Sequence, residues 1–220
     1  MTGKRFYGLR PRKSLHSRLV LIGIPMRIQK LMQLIPAIVC LLIQPILLSG
    51  ETPVASFETE QLTFCLSDSL LSFDGLFMFS NLSSNEVNPY IYFPIIADSL
   101  QLPFYHADVL DPDSGESVLA NQNDDGIGFY LRMPPQTSQA IQIRYQQKLT
   151  AQKAKYILLT ANEWKRALPY GEYKVILPRG TRILHYPFPE PQYQPEDGGD
   201  VYYWEFYDFS PQEDFYISWE

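Results

Sequence analysis

Two acidic loops carry the side chains best suited to hold a metal ion. They lie in the stretches DPDSGE and NQNDDG, and their candidate ligands are Asp111, Asp113, Glu116, Asn123, Asp124 and Asp125. Calcium binds carboxylate, amide and backbone oxygens, often on loops of this composition. The stretches lack the full EF-hand pattern, and Asp, Asn and Gly also form ordinary turns. A shared Ca²⁺ site therefore requires that the two loops meet at one end of the fold.

The C-terminal segment VYYWEFYDFSPQEDFYISWE could supply an aromatic binding surface. In a β-strand, successive side chains point to opposite faces. Trp204 and Phe206 then share one face, and Tyr203, Glu205 and Tyr207 share the other. Because an unpaired Glu resists burial, the face that carries Glu205 is expected to be exposed to solvent.

After a turn at SPQE, Phe215, Ile217 and Trp219 alternate again and are expected to face the core. This leaves Tyr216 on the outer side. The sequence therefore predicts a small ligand-binding surface formed by Tyr203, Glu205, Tyr207 and Tyr216.

Side chains for catalysis are few, and we assign no catalytic residue. His106 and His185 lack partners at a metal-binding or acid–base spacing, and no nucleophile elbow or phosphate-binding glycine loop is present. Cys65, in the strand-like run LTFCLS, is expected to be a small buried side chain. A pair of carboxylates could serve a small exported hydrolase, but the sequence does not single out such a pair.

Charge divides the chain into two regions. Eight basic residues precede the first acidic residue, Glu51, and the rest carries 24 acidic and 10 basic side chains. The apolar run LIPAIVCLLIQPILLSG follows Arg27 and Lys30, as in a secretory signal peptide, so residues 1–50 are predicted to direct export. An uncleaved membrane anchor is the alternative. The stretch MRIQKLMQLIPAIV, which begins at Met26, would by itself be a complete beginning of a signal peptide. Met26 is therefore a candidate for the true first residue, and export is not expected to need residues 1–25.

The acidic remainder argues against nucleic acid as a partner and limits membrane contact to the N-terminal segment. Residues 51–220 are predicted to form one all-β domain, an antiparallel sandwich of two sheets with one short helix. Runs such as AIQIRY, EYKVILP and VYYWEFYDF alternate apolar and polar residues at the strand period. Thr160 and Glu163 have capping-box spacing and predict a helical turn over Trp164–Leu168. The stretch PFPEPQYQPEDGGD predicts a long extended loop.

Several of these segments together resemble exported bacterial domains of unknown function. The resemblance rests on FMFSNLSSNEVNPYIYFPI, IQIRYQQKL, AKYILLTANEWKRAL, EYKVILP and DFYISW, and covers most of residues 57–219. It implies export and a β fold, and it supplies no catalytic residues.

Three classes of function remain open. The first is a non-enzymatic domain of the cell envelope or secreted fraction that binds another protein or has a structural role. The second is a carbohydrate-binding module, stabilised by Ca²⁺ if the acidic loops meet, with a glycan as its partner. The third is a small exported hydrolase.

Overall fold

The computed structural model describes residues 55–220, which form thirteen β-strands and one short 3-10 helix at Leu159–Trp164. The strands are β1 (Ala55–Leu66), β2 (Leu70–Asn81), β3 (Tyr90–Pro94), β4 (Ala107–Leu110), β5 (Ala120–Asn123), β6 (Gly126–Tyr130), β7 (Ser138–Lys148), β8 (Lys153–Tyr156), β9 (Leu168–Leu177), β10 (Ile183–His185), β11 (Gln192–Glu196), β12 (Gly199–Phe209) and β13 (Phe215–Trp219). The predicted all-β class is confirmed. The predicted signal segment, its cleavage site and the start at Met26 lie outside the described residues.

One large sheet forms the first layer of the fold, in the order β11-β12-β9-β1-β2-β7-β4. Its neighbours are antiparallel, except that β1 runs parallel to β9. Two three-stranded sheets, β10-β13-β8 and β3-β6-β5, supply the facing side chains. The second layer is thus divided into two small sheets, and one strand pair departs from the antiparallel arrangement expected from the sequence.

Aromatic rings fill the space between the layers. Phe64 on β1 stacks on Phe215 of β13 with ring centroids 4.7 Å apart. Phe73 on β2 lies 5.8 Å from Phe93 of β3 and 5.4 Å from Tyr156 of β8. Because these partners belong to both small sheets, both pack against the same face of the large sheet.

Strand alternation explains which side chains of β1 enter this layer. Leu62, Phe64 and Leu66 are buried, whereas Cys65 between them lies on the opposite face and is exposed. The expectation that Cys65 is a buried side chain was therefore wrong. Its apolar neighbours take the inner face, and the strand period turns the thiol outward.

The short helix begins earlier than the capping pattern predicts. It spans Leu159–Trp164, and no side chain of its own segment caps it. Instead, Asp214 Oδ1 accepts hydrogen bonds from the backbone N–H groups of Leu158 and Leu159, both at 3.0 Å. The predicted turn over Trp164–Leu168 was wrong because a carboxylate far along the chain satisfies the free N–H groups.

A carboxylate lies inside the aromatic layer. Glu60 on β1 is 3% exposed and accepts a hydrogen bond from the Tyr173 hydroxyl, with Tyr156 as a second phenol partner. Gly171 lies opposite Glu60 on β9, and a Cβ there would stand 3.0 Å from the Tyr173 hydroxyl oxygen. Loss of hydration raises the pKa of Glu60 to about 7, although the two phenols oppose this shift.

The buried carboxylate predicts a pH dependence of stability. Since the pKa of Glu60 is higher in the folded state, the folded state holds its proton more tightly, and the unfolding free energy falls as pH rises from about 4.5 to about 7. The loss should approach about 3 kcal/mol. Glu60→Gln should flatten this slope in urea unfolding measured across that range. The exposed-site control Glu116→Gln should keep it, and an unchanged slope in Glu60→Gln would contradict the assignment.

The aromatic tail gives a second stability test. Trp204 is 4% exposed and donates Nε1–H to the carbonyl oxygen of Pro189 at 2.7 Å, whereas Tyr203 is half-buried on the outer face. Trp204→Ala should therefore cost about 3–5 kcal/mol of unfolding free energy. Tyr203→Ala should cost about 1 kcal/mol or less. Equal losses in urea unfolding would disprove this assignment of faces.

Candidate functional site

Three of the four predicted ligand-binding residues lie together on the outer face of the large sheet. Tyr203, Glu205 and Tyr207 project from β12, and the adjacent strand β9 places Tyr170 and Glu172 beside them. We name these five residues the tyrosine–glutamate strip. Tyr207 pairs with Tyr170 and Glu205 pairs with Glu172 across the two strands.

Hydrogen bonds hold the side chains of the strip. The Tyr207 hydroxyl donates to Glu205 Oε1 at 2.7 Å, and the Tyr170 hydroxyl donates to Glu172 Oε2 at 2.8 Å. The rings of Tyr170 and Tyr207 lie 5.3 Å apart. Each carboxylate is therefore oriented by a phenol, and two aromatic rings stand next to each other at the surface.

The electrostatics of the strip favour a partner that brings positive charge. Glu172 and Glu205 face each other directly, and in residues 55–220 neither forms an ion pair with Lys, Arg or His. Lys174, the next outward residue of β9, contacts Glu196 at 3.5 Å instead. The hydrogen bond to Glu205 raises the pKa of Tyr207, so this phenol stays a neutral donor at physiological pH.

Tyr216 is not part of the strip. It lies on β13 in the second layer, where its ring is 5.2 Å from that of His185. The sequence placed Tyr216 on an outer face but could not show that this face belongs to a different sheet. It also missed Tyr170 and Glu172, whose role depends on β9 pairing with β12.

The two acidic loops are not brought together. The first forms a tight hairpin after β4, in which Leu110 bridges Ser117 and Asp111 Oδ1 accepts the N–H groups of Asp113 and Ser114 at 2.9 and 3.1 Å. The second follows Gln122, whose side chain bonds the backbone of Ala107 at the start of β4. The first loop therefore follows the end of β4, whereas the second lies beside its start.

The second loop has the geometry of an ordinary turn. Asn123 Oδ1 accepts the N–H of Asp125 at 3.0 Å, and Asp124 and Asp125 are exposed. In residues 55–220 no group of three or more His, Cys, Asp or Glu side chains is placed to hold a metal ion. Asp113 and Glu116 are likewise exposed.

Three side chains of residues 55–220 have a chemistry that a hydrolase could use, and each lies apart from the other two. His106 Nε2 lies 3.3 Å from Asp108 Oδ1 at the surface, and Cys65 is a free thiol whose pKa is raised by partial burial. Glu60 has a raised pKa, as a general acid would, but it is enclosed in the core. A substrate cannot reach it without unfolding of the layer that covers it.

Removal of divalent cations tests the placement of the acidic loops. Because the loops lie apart and the Asp111 carboxylate already accepts backbone and side-chain hydrogen bonds, we expect EDTA to leave the melting temperature unchanged. Differential scanning calorimetry with and without added Ca²⁺ checks this. A calcium-dependent rise in melting temperature that is lost in Asp111→Asn would contradict it.

Comparisons with known proteins place the fold but not the family. No protein-family model matches the chain, and no curated protein is significantly similar to it. A solved structure from Legionella pneumophila, described as a "putative nutrient binding protein", has 16% identity and a TM-score of 0.63, over 76% of this chain and 67% of that one. At this identity the likeness shows a shared fold alone.

A second solved structure is less similar. The M1 zinc metallopeptidase from Deinococcus radiodurans has 11% identity and a TM-score of 0.45, over 79% of this chain and 44% of that one. The chain thus spans less than half of the metallopeptidase, and no conclusion is drawn from this match. In residues 55–220 no helix is both long and apolar enough to cross a membrane.

Proposed function

We propose that this protein is an exported, non-enzymatic β-sandwich domain of the cell envelope or secreted fraction, which binds another protein through the tyrosine–glutamate strip. The proposal of export rests on the basic and apolar pattern of residues 1–50 and on the resemblance to exported bacterial domains of unknown function. The observation that carries the binding role is the strip itself.

The strip has the composition of a protein-binding surface. Tyrosine is enriched in interfaces because its ring supplies a large, rigid contact area and its hydroxyl forms a hydrogen bond. Tyr207 is 70% exposed, and Tyr170 and Tyr203 beside it are partly exposed, so three phenols are accessible on one face. The strands beneath them are central and near-edge strands of a seven-stranded sheet, which holds the side chains in place.

The negative charge of the strip indicates that its partner carries positive charge. Two carboxylates without a cationic partner in the described part of the chain would be satisfied by Arg or Lys side chains at the centre of the partner's surface. Arginine also stacks on tyrosine rings. We therefore expect the bound segment to be basic, which agrees with the acidic balance of residues 51–220. The Legionella pneumophila structure of similar fold is described as a putative nutrient binding protein, which is compatible with a β-rich binding domain.

Site-specific photocrosslinking tests the strip. A benzophenone amino acid replaces Tyr207 in the exporting cell, and the same residue replaces Tyr130, an exposed tyrosine on β6, as the matched control. We expect one stoichiometric crosslinked protein from position 207 and none from position 130. Glu205→Lys should abolish that product because it reverses the charge at the centre of the strip. Identical products from both positions, or uncrosslinked monomer only, would contradict the proposal.

A further inference from the structure

A second surface lies on the opposite face of β12, where its first residues meet β11 and the proline-rich loop. Here the surface forms a shallow, open cleft of about 460 Å³, within the volume range of small-ligand sites. The side chains that give it its chemistry are Arg182, Tyr186, Glu190, Tyr193, Asp200 and Tyr202. The sequence pattern predicts an extended loop over residues 187–200, but the structure forms β11 within it, and Tyr193 of β11 lines this cleft.

Asp200 joins two parts of the cleft wall through hydrogen bonds. It is 5% exposed, its Oδ2 accepts the N–H of Gly180 at 2.8 Å, and its Oδ1 accepts the Tyr193 hydroxyl at 3.0 Å. The same carboxylate thus fixes the turn after β9 and the ring on β11. The residue before Asp200 must be glycine, because φ of Gly199 is +146° and a Cβ there would stand 2.2 Å from the Leu177 carbonyl oxygen. A side chain held in this way loses little freedom when a ligand binds.

Tyrosine rings form the apolar part of the cleft. Tyr193 and Tyr202 pair across β11 and β12 with ring centroids 5.3 Å apart, and Tyr193 is 56% exposed. Tyr186 lies 6.1 Å from Trp204, whose indole N–H holds the carbonyl oxygen of Pro189. The proline-rich loop is therefore anchored to the core through Pro189. The tyrosine rings that line the cleft are thus held in position before a ligand binds.

The charges of the cleft disfavour an anionic ligand. The Arg182 guanidinium donates Nε–H to Glu220 Oε1 at 2.7 Å, so its charge is already compensated. The other two charged side chains, Glu190 and Asp200, are acceptors. Phosphate, sulfate or a carboxylate ligand would meet these two carboxylates, and the one cation among the residues that line the cleft is the paired Arg182.

We infer that this cleft binds a neutral pyranose unit of a saccharide. The C–H face of a pyranose ring packs against the electron-rich face of an aromatic ring, which Tyr193 and Tyr202 supply. Its hydroxyls both donate and accept hydrogen bonds, and the cleft offers carboxylate acceptors at Glu190 and Asp200 with guanidinium donors at Arg182. This site is separate from the tyrosine–glutamate strip, so its occupancy and the protein-binding proposal succeed or fail independently.

Titration of the protein, purified after export, with neutral trisaccharides of glucose, galactose, mannose and N-acetylglucosamine tests the inference. Calorimetry and two-dimensional NMR should show saturable binding of at least one, with shifts centred on residues 180–202. Tyr193→Ala should weaken it at least about tenfold, as expected for loss of an aromatic contact. Tyr193→Phe should retain most of the affinity because the ring remains. The matched control Tyr105→Ala, a fully exposed tyrosine outside both the cleft and the tyrosine–glutamate strip, should bind as the parent does.

A second variant and a second probe complete the test. If Tyr193→Ala does not fold by circular dichroism, Glu190→Ala replaces it, since Glu190 is exposed on the loop, and it should also weaken binding. Arginine methyl ester serves as the cationic probe. Absence of saturable binding by every saccharide, equal losses in Tyr193→Ala and Tyr105→Ala, or saturation of the cleft by the cation alone would each overturn the inference.

Discussion

Close packing of aromatic rings between the large sheet and the two small sheets is the constraint on which the rest of the structure depends. Phe73 touches Phe93, Tyr145 and Tyr156, and it thereby joins the large sheet to both small sheets. Since every strand must turn alternate residues towards this layer, the remaining residues are forced outward. The tyrosine–glutamate strip exists because Trp204 and Phe206 take the inner positions of β12.

The same layer explains how a carboxylate is tolerated inside the fold. Within residues 55–220 Glu60 forms no ion pair, and its hydrogen-bond partners are the phenols of Tyr173 and Tyr156. A neutral, protonated carboxyl is far easier to bury than a charged one. Glycine at position 171 leaves space for the Tyr173 hydroxyl, so one small residue on β9 makes room for the polar group that satisfies Glu60.

Local alternation in the sequence predicted which face of β12 and of β13 is buried, but not which strands are neighbours. Trp204, Phe215, Ile217 and Trp219 were correctly assigned to the core from the strand period alone. The parallel pairing of β1 with β9 was not predictable, because it joins segments far apart in the chain. Asp214 could not be identified as the cap of the 3-10 helix for the same reason. The partners of Tyr207 and the cleft around Asp200 likewise depend on long-range pairing.

The position of β1 has a consequence for the order in which the chain can fold. This strand finds β2 at once, through a short turn, but its other edge pairs with Leu168–Leu177. During synthesis, therefore, the backbone N–H and C=O groups on one edge of β1 stay unpaired until β9 and most of the domain have been made. Long-range parallel pairing closes slowly, and an open strand edge is a template for aggregation. Late arrival of β9 is thus the step at which this protein most needs a chaperone or rapid completion of the chain.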